Sequence, residues 1–223
     1  MGVRRTDGRG WAVPPNKGKT FPPEVLTQEE IRALLTACGR SASGLRNQAL
    51  LVMLWRAGLR VSEALSLRPS DLDPEAGTLR IPRGKTGHRT AGLDPEAVAI
   101  AEQWMTHRRA VLGLNGRKPL FCTLRGQALQ SSYVRSLLKR LAARVGIERR
   151  VHPHALRHTM AAELLREGAS VRHIQLQLGH SDLSTTATYL ESIQPLELVE
   201  MARSRPPWNP SAPGERDDWE RSA

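Results

Sequence analysis

The sequence is poor in cysteine and has no long apolar stretch. Its two cysteines, Cys38 and Cys122, lie in otherwise apolar segments and have no spacing typical of a metal site. This pattern favours two reduced, half-buried thiols over a disulfide, and with them a cytoplasmic protein. No segment approaches the roughly 20 apolar residues that span a bilayer, and the opening MGVRRTDGRGW has no apolar run behind its charges. We therefore expect a soluble protein with neither a membrane span nor a signal peptide.

Acidic residues are also in deficit. Against 33 lysines and arginines there are 22 aspartates and glutamates, which gives a formal charge of +11 and a pI near 10.9. Such an excess favours a polyanionic partner, with nucleic acid as the leading candidate. A basic surface without a specific ligand would have the same composition, so the charge supports a nucleic-acid partner without establishing it.

The 223 residues suit one sizeable domain flanked by tails, and the sequence contains no internal repeat. Residues 1–23 are basic and rich in glycine and proline. We interpret them as a flexible arm, which either follows phosphate or is simply disordered. Residues 24–203 carry the periodic elements and form the predicted domain. Residues 204–223 contain several prolines and are predicted to be disordered.

Most of the predicted elements are helices. Thr27 and Glu30 form a capping box that starts the first one. The near-continuous apolar run of the second predicts a central, largely buried helix. This second helix is predicted over 45–57. Caps and apolar periodicity predict further helices from 59 onward, over 95–112, 131–145, 154–167 and 171–178, around 184–191, and within 195–203. Short strands are predicted at 79–81 and 89–93, with a third small strand at 119–121.

Two familiar motifs are incomplete. The segment 84–86 (GKT) suggests a P-loop, but that motif needs glycine where this chain has Leu79. The segment also precedes a predicted strand rather than a helix, so we reject ATP binding. His154 and His158 have the spacing of a zinc-binding helix pair, yet the glutamate that should accompany them is absent. A metal site completed by His180 remains as the weaker alternative.

Six polar residues dispersed along the chain carry the candidate chemistry: Arg60, Lys85, His154, Arg157, His180 and Tyr189. Each also has an ordinary structural interpretation, such as a salt bridge from Arg60 to Glu63 or core packing of Tyr189. Together they supply what attack on a phosphodiester needs without a metal. Two arginines and two histidines provide preorganised cations and donors for the non-bridging oxygens. A phenol with a pKa of ~10 must lose its proton to a base such as His154, and the departing 5′-oxygen needs a proton donor such as Lys85.

The predicted helix 131–145 is amphipathic and basic. Its polar side carries four cationic residues: Arg135, Lys139, Arg140 and Arg144. Such a helix enters a major groove in some proteins and forms a solvated face in others. Taken alone, the pattern favours the solvated face.

In order and spacing, the six residues and their surroundings resemble the tyrosine recombinases, also called phage integrases, and especially the bacterial chromosome-dimer resolvases. The resemblance extends over residues 25–200. Five segments carry it: AGLRVSEAL at 57–65, GK at 84–85, HALRH at 154–158, LGHSDLSTT at 178–186, and Tyr189. It implies a mainly α fold with a small antiparallel β-sheet (α+β), in which Lys85 falls on the turn of the sheet. The joint pattern is far more specific than any single motif within it.

The resemblance also implies a role for each residue. Three of them would hold the scissile phosphate: Arg60, Arg157 and His180. His154 would assist deprotonation of Tyr189, Lys85 would protonate the leaving 5′-hydroxyl, and Glu63 would orient the cations. Tyr189 would become joined to a 3′-phosphate and so store the bond energy, which means that no metal, ATP or other cofactor is required.

The implied partner is double-stranded DNA, contacted through helix 131–145. The protein would bind it as a homo-oligomer, a tetrameric synapse in the family, with a monomer in solution as the alternative. Relatives carry a helical DNA-clamping domain before the catalytic one, where this chain has irregular residues. A naturally short enzyme, a clamp on another chain and a shortened sequence all stay open as explanations.

The function implied is site-specific DNA recombination. The nearest alternative is a type IB topoisomerase, which relaxes DNA by similar chemistry without strand exchange or a site requirement. A second alternative is a non-catalytic DNA-binding accessory protein with the same fold. The complete six-residue set argues against the accessory protein, because a pure binder has no use for Tyr189.

Overall fold

Helices make up most of the fold. The structure, a computed structural model, describes residues 25–82, 88–179 and Arg203. Its helices are α1 (Gln28–Ala37), α2 (Ala42–Trp55), α3 (Val61–Ser66), α4 (Pro95–Ala110), α5 (Ser131–Arg144), α6 (Pro153–Arg166) and α7 (Val171–Leu178). Its strands are β1 (Leu72–Asp73), β2 (Thr78–Pro82) and β3 (His88–Gly92). The predicted mainly α fold is confirmed, whereas the predicted arm, tail and helix 184–191 lie outside the described residues.

The first two helices begin at capping residues. Thr27 Oγ1 accepts the N–H of Glu30 at 3.2 Å, and the carboxylate of Glu30 accepts the N–H of Thr27 at 2.7 Å, so the predicted capping box is confirmed. Ser41 Oγ accepts the N–H of Gly44 at 3.1 Å. This cap starts α2 at Ala42, earlier than the apolar periodicity predicts, because a side-chain acceptor satisfies one of the first N–H groups of the helix.

α2 is the centre of the core, as its apolar run predicts. Its side chains from Ala49 to Leu54 are at most 2% exposed, and the helix packs against α4 and α6. Each of the Leu, Val and Met side chains in this stretch contributes about 1.5–3 kcal/mol on burial. A second, smaller apolar cluster of Met160, Ala161, Ile174 and Leu178 joins α6 to α7. No helix in the described part of the chain is both long and apolar enough to cross a membrane.

The sheet has three antiparallel strands in the order β1–β2–β3. Leu79 pairs with Ala91, and Ile81 pairs with Arg89. All four side chains are buried. Arg89 therefore occupies a position on the buried face of the sheet, where the alternation of a strand normally places an apolar residue.

The predicted strand at 119–121 is wrong. Trp104 Nε1 donates to the carbonyl of Leu120 at 2.9 Å, and Arg108 Nη2 donates to the carbonyl of Pro119 at 3.1 Å. Side chains of α4 thus take the carbonyls that a sheet ladder would need, and backbone polar groups in the interior must be paired somewhere. The third strand of the sheet is instead β1.

Candidate active site

The site is built around the junction between α2 and α3. Gly58 has a φ of +59°, in the left-handed region, and a Cβ there would lie 2.7 Å from Met160 Cε and from Leu178 Cδ2. Glycine allows both this backbone conformation and the close approach to α6 and α7. The chain consequently enters α3, and with it Arg60, directly beside these two helices.

Arg60 is the N-cap residue of α3 and is held by Glu63. The backbone N–H of Arg60 donates to Glu63 Oε2 at 2.9 Å, and Nη1 donates to Oε1 at 3.1 Å. The salt bridge expected on ordinary structural grounds is therefore present, yet the Arg60 side chain remains 42% exposed. One carboxylate fixes both the start of the helix and the direction of the guanidinium, and it leaves that guanidinium accessible to a ligand.

Glu63 has a second cationic partner, Arg89, which the sequence interpretation missed. Arg89 Nη2 donates to Glu63 Oε2 at 2.9 Å. Burial alone raises the pKa of Glu63, but the N–H of Arg60 and the charges of Arg89 and Arg60 outweigh burial and hold this pKa below its usual value. Glu63 is therefore ionised at neutral pH and orients two guanidinium groups. The alternation of β3 could have indicated the burial of Arg89, because it puts Arg89 on the same face of the sheet as Ala91.

Arg157 lies beneath this junction, in the interior. It is 3% exposed, and its guanidinium donates to the carbonyl of Gly58 and, at 2.8 Å, to the carbonyl of Leu178. A guanidinium carries its N–H donors in a rigid planar fork, so two such bonds fix its orientation. Gly58 precedes Arg60 by two positions. The two arginines are thus brought to the same region of the molecule.

His154 lies in the first turn of α6, close to both arginines. The helix begins at Pro153, after the N-cap residue His152. Partial burial, followed by the positive charges of His152, Arg157 and Arg60, lowers the pKa of His154. Its imidazole is therefore largely neutral at pH 7 and is able to accept a proton.

His158 lies one turn after His154, with the two ring centroids 6.4 Å apart. Burial, and then the nearby positive charges headed by His154, lower the pKa of His158 to about 4. Within the described residues, no group of three His, Cys, Asp or Glu side chains is arranged to hold a metal ion. His180, the third ligand of the alternative metal site, lies outside this part of the chain.

Arg60 and His154 line the same cleft, which has a volume of about 320 Å³. The polar residues of its lining are Arg60, Ser62, Ser131, Arg135, Arg150, His152 and His154. An adjoining depression of about 590 Å³ shares three of these residues and adds two further cations, Lys139 and Arg149. We refer to the cleft and this depression together as the basic groove. A surface lined in this way attracts an extended anion.

The four cations of α5 fall into two pairs. Arg135 and Lys139 line the basic groove. Arg140 lies over a tyrosine ring of the same helix, 5.9 Å from its centroid, and Arg144 donates to the carbonyl of Ala37 at 2.9 Å. At ~100° per residue, the two pairs are separated by roughly 140° around the helix axis. They therefore do not face a single ligand together.

Three of the predicted site residues lie outside the described residues: Lys85, His180 and Tyr189. Lys85 belongs to the segment 83–87 between β2 and β3, and His180 follows Gly179, whose left-handed backbone ends α7. The structure brings the other four predicted residues together: Arg60, Glu63, His154 and Arg157. The catalytic role of each of the seven stays a prediction.

Comparison with solved structures places this domain among the catalytic domains of tyrosine recombinases. The crystal structure of XerA recombinase superposes with a TM-score of 0.71 at 30% identity, covering 88% of this chain and 70% of that chain. XerH bound to palindromic difH substrate, in a post-cleavage complex, gives a TM-score of 0.69 at 25% identity, covering 82% and 54%. Residues 24–194 match the phage integrase family, and the chain belongs to this family.

Two relatives illustrate the similarity in sequence. Tyrosine recombinase XerD of Xanthomonas axonopodis pv. citri is 36% identical over 197 residues, which cover 84% of this chain and 64% of the relative. Tyrosine recombinase XerC of Rhizobium meliloti is 34% identical over 211 residues, covering 92% and 65%. The chain thus spans just under two thirds of the length of each.

Replacing Glu63 with glutamine is expected to lower the free energy of unfolding by about 2 kcal/mol at pH 7, because a charged acceptor of hydrogen bonds becomes neutral. The pKa of Glu63 is lower in the folded protein than its usual value. The contribution of its charge is therefore complete above the unfolded-state pKa of about 4.3, and it is lost as the pH falls through the lower folded-state pKa. The difference between wild type and Glu63→Gln should shrink on acidification.

Urea denaturation at pH 7 and at a series of acidic pH values measures this difference. Glu102→Gln, at an exposed position on α4, is the control and should change the free energy of unfolding little at any pH. A destabilisation by Glu63→Gln that stays constant across the series would contradict the expectation.

Proposed function

We propose that this protein is a site-specific DNA recombinase that cuts and rejoins DNA strands through a covalent 3′-phosphotyrosine, without metal or ATP. The observation that carries the proposal is that Arg60 and His154 line one basic groove, with the buried Arg157 close beneath them. The similarity to tyrosine recombinases XerD and XerC supports it, as does the similarity to XerH in complex with its difH substrate.

The scissile phosphate would bind at Arg60. The guanidinium of Arg60 is accessible from the cleft, and Arg157 adds a second positive charge beneath it. Phosphoryl transfer builds negative charge on the non-bridging oxygens, and cations already fixed in place stabilise that charge without reorganising. The bonds of Arg60 to Glu63, and of Arg157 to two backbone carbonyls, provide this preorganisation. His180 would complete the phosphate contacts.

Tyr189 is the proposed nucleophile. Its phenolic oxygen would bond to phosphorus as the bond from phosphorus to the 5′-oxygen breaks, and the neutral His154 would take the phenolic proton. Lys85 would give a proton to the departing 5′-oxygen. Rejoining reverses these steps, because the 5′-hydroxyl of the recipient strand attacks the phosphotyrosine and releases the phenol. The energy of the broken bond is retained in the covalent adduct.

Double-stranded DNA is the proposed partner, with the basic groove as its contact surface. Arg135 and Lys139 would neutralise phosphates there, since both line the groove. The predicted DNA contacts of Arg140 and Arg144 are less favoured, because these side chains already contact the protein's own ring and carbonyl groups. The protein would act in the cytoplasm as a homo-oligomer on DNA, because strand exchange needs an active site on each cut strand.

Tyr189→Phe is expected to abolish the covalent protein–DNA adduct and to leave DNA binding nearly unchanged, because only the nucleophilic oxygen is removed. A nicked suicide duplex drawn from candidate sites traps the adduct, which denaturing electrophoresis then separates. Tyr133→Phe is the matched control, since Tyr133 is the other tyrosine of the chain. It should still form the adduct.

Persistence of the adduct in Tyr189→Phe would show that another residue is the nucleophile. Absence of any adduct with the wild-type protein, across all candidate sites, would count against the recombinase itself. Relaxation of a supercoiled plasmid without a site requirement would instead favour the type IB topoisomerase alternative.

Lys85→Ala is expected to slow cleavage by roughly 10²–10⁴-fold, the usual contribution of a general acid. A duplex with sulfur in place of the 5′-bridging oxygen should restore the rate, because the sulfur leaves without a proton. Single-turnover cleavage of both duplexes measures the effect, with Lys118→Ala as the control at an exposed lysine. An equal defect on both duplexes would remove Lys85 from the acid role.

The double variant Arg135→Ala/Lys139→Ala is expected to weaken DNA binding and to reduce the salt dependence of the affinity, by about 2 in the logarithmic slope. The matched double variant Arg140→Ala/Arg144→Ala should leave this slope nearly unchanged, because its side chains face away from the groove. Fluorescence anisotropy at several salt concentrations measures both slopes. Equal slopes in the two variants would rule out the groove as the contact surface.

A further inference from the structure

Arg89 is a buried arginine that the proposed reaction does not use directly. It lies on β3 opposite Ile81, and only 7% of its surface is exposed. A charged group in such a place is costly unless it is paired and hydrogen-bonded. The partners of Arg89 must therefore offset the cost of burying its charge on a strand face that otherwise carries apolar side chains.

The first partner of Arg89 is Glu63, which also holds Arg60. Glu63 Oε2 accepts both Arg89 Nη2 and the backbone N–H of Arg60 at 2.9 Å, while Oε1 accepts Arg60 Nη1 at 3.1 Å. Glu63 alone would neutralise the charge of Arg60. With Arg89 on the same carboxylate, the three groups together keep a net positive charge, and the carboxylate is fixed from two sides.

The second partner of Arg89 is the last turn of α7. Arg89 Nη1 donates to the carbonyl of Gln177 at 2.5 Å. The side-chain amide of Gln177 bonds the backbone of Gly92 in both directions, at 3.0 and 2.8 Å. The next carbonyl, of Leu178, accepts Arg157 at 2.8 Å. Two arginines therefore hold adjacent carbonyls at the C-terminal end of α7, where the helix dipole favours positive charge.

We propose that Arg89 is a positioning residue, which sets Arg60 through Glu63 and sets the end of α7 through the carbonyl of Gln177. This inference rests on the proposed function, because it concerns the groups that would hold the scissile phosphate. Arg89 thereby joins the two arginines of that site into one rigid arrangement. Its loss should slow cleavage far more than it weakens DNA binding, because Arg89 contacts Glu63 and Gln177, which position the phosphate-holding groups, and does not line the groove.

If Arg89 had only a structural role, its removal would lower stability without changing the cleavage rate of the folded protein. Arg108 is the matched control for that case. Arg108 is also buried, at 3% exposure, and donates to the carbonyls of Leu114 and Asn115 at 3.1 and 2.9 Å. It lies on α4 and lines neither part of the basic groove. Removing Arg108 should therefore lower stability without changing the cleavage rate of the folded protein.

The test compares Arg89→Gln, Arg89→Lys and Arg108→Gln with the wild-type protein, at a temperature where all are folded. Arg89→Gln is expected to slow single-turnover cleavage of a nicked suicide duplex by about 100-fold, the cost of a displacement near 1 Å. Its DNA affinity should change less than about 3-fold, a change too small to reflect a lost DNA contact. The cleavage rate of Arg89→Lys should lie between those of the wild type and Arg89→Gln. Lysine keeps the charge but lacks the planar fork that reaches both partners.

A double-mutant cycle identifies the route of the effect. In a Glu63→Gln background, Arg89→Gln should slow cleavage by less than about 10-fold. The ion pair through which Arg89 positions Arg60 is already lost in that background. Arg108→Gln should slow cleavage by less than about 3-fold in either background. Equal rates for Arg89→Gln and Arg108→Gln, or a full 100-fold effect of Arg89→Gln in the Glu63→Gln background, would overturn the proposal. If Arg89→Gln does not fold, Arg89→Lys carries the same comparison, and a wild-type rate for it would be decisive against a positioning role.

Hydrogen exchange separates this inference from the proposed function. The N–H groups of Arg60 and Gly92 donate to Glu63 and Gln177, so their exchange should accelerate in the Arg89 variants. They should exchange as in the wild type in Arg108→Gln. If the wild-type protein cleaves no duplex, the proposed function fails. Unchanged exchange at these two amides in the Arg89 variants would overturn the positioning role, whatever the result of the cleavage assay.

Discussion

One buried guanidinium holds the helices of the candidate site together. Arg157 donates to the carbonyl of Gly58, where α2 gives way to α3, and to the carbonyl of Leu178 at the end of α7. Desolvating a cation costs several kcal/mol, and well-placed acceptors must offset that cost. The C-terminal carbonyls of a helix are suitable acceptors because they carry partial negative charge. Arg157 therefore fixes the start of α3 relative to the end of α7. Arg60, the N-cap residue of α3, is positioned with it.

The charge of the site follows from the same arrangement. Arg60 and Arg89 share a single carboxylate, Glu63, and Arg157 adds a third positive charge at the same junction, so the cluster is positive overall. Burial lowers the pKa of His154, and the positive charges of His152, Arg157 and Arg60 lower it further, because a protonated imidazole would add another positive charge beside them. The clustered positive charge that attracts an anion therefore also helps burial to keep His154 neutral and able to accept a proton. A bound phosphate would partly offset the charge repulsion on a protonated His154.

The sequence predicts the helices of this domain better than the contacts between them. Caps such as Thr27 and the apolar run of α2 act within a few residues, and both predictions are confirmed. The strand predicted at 119–121 fails because Trp104 and Arg108, on another element, take its carbonyls.

Arg89 was missed for a related reason. A cationic residue on a strand is normally interpreted as solvent-facing, and the burial of Arg89 becomes acceptable only through Glu63 and Gln177, which are distant in sequence. Accessibility then divides the three arginines: the side chain of Arg60 is 42% exposed, that of Arg89 is 6% exposed, and Arg157 as a residue is 3% exposed. Of these three, only Arg60 offers an accessible guanidinium to the cleft, so the two buried arginines act through orientation and through charge. A lysine at either buried position would keep the charge and lose the planar fork, and the geometry of the site depends on that fork.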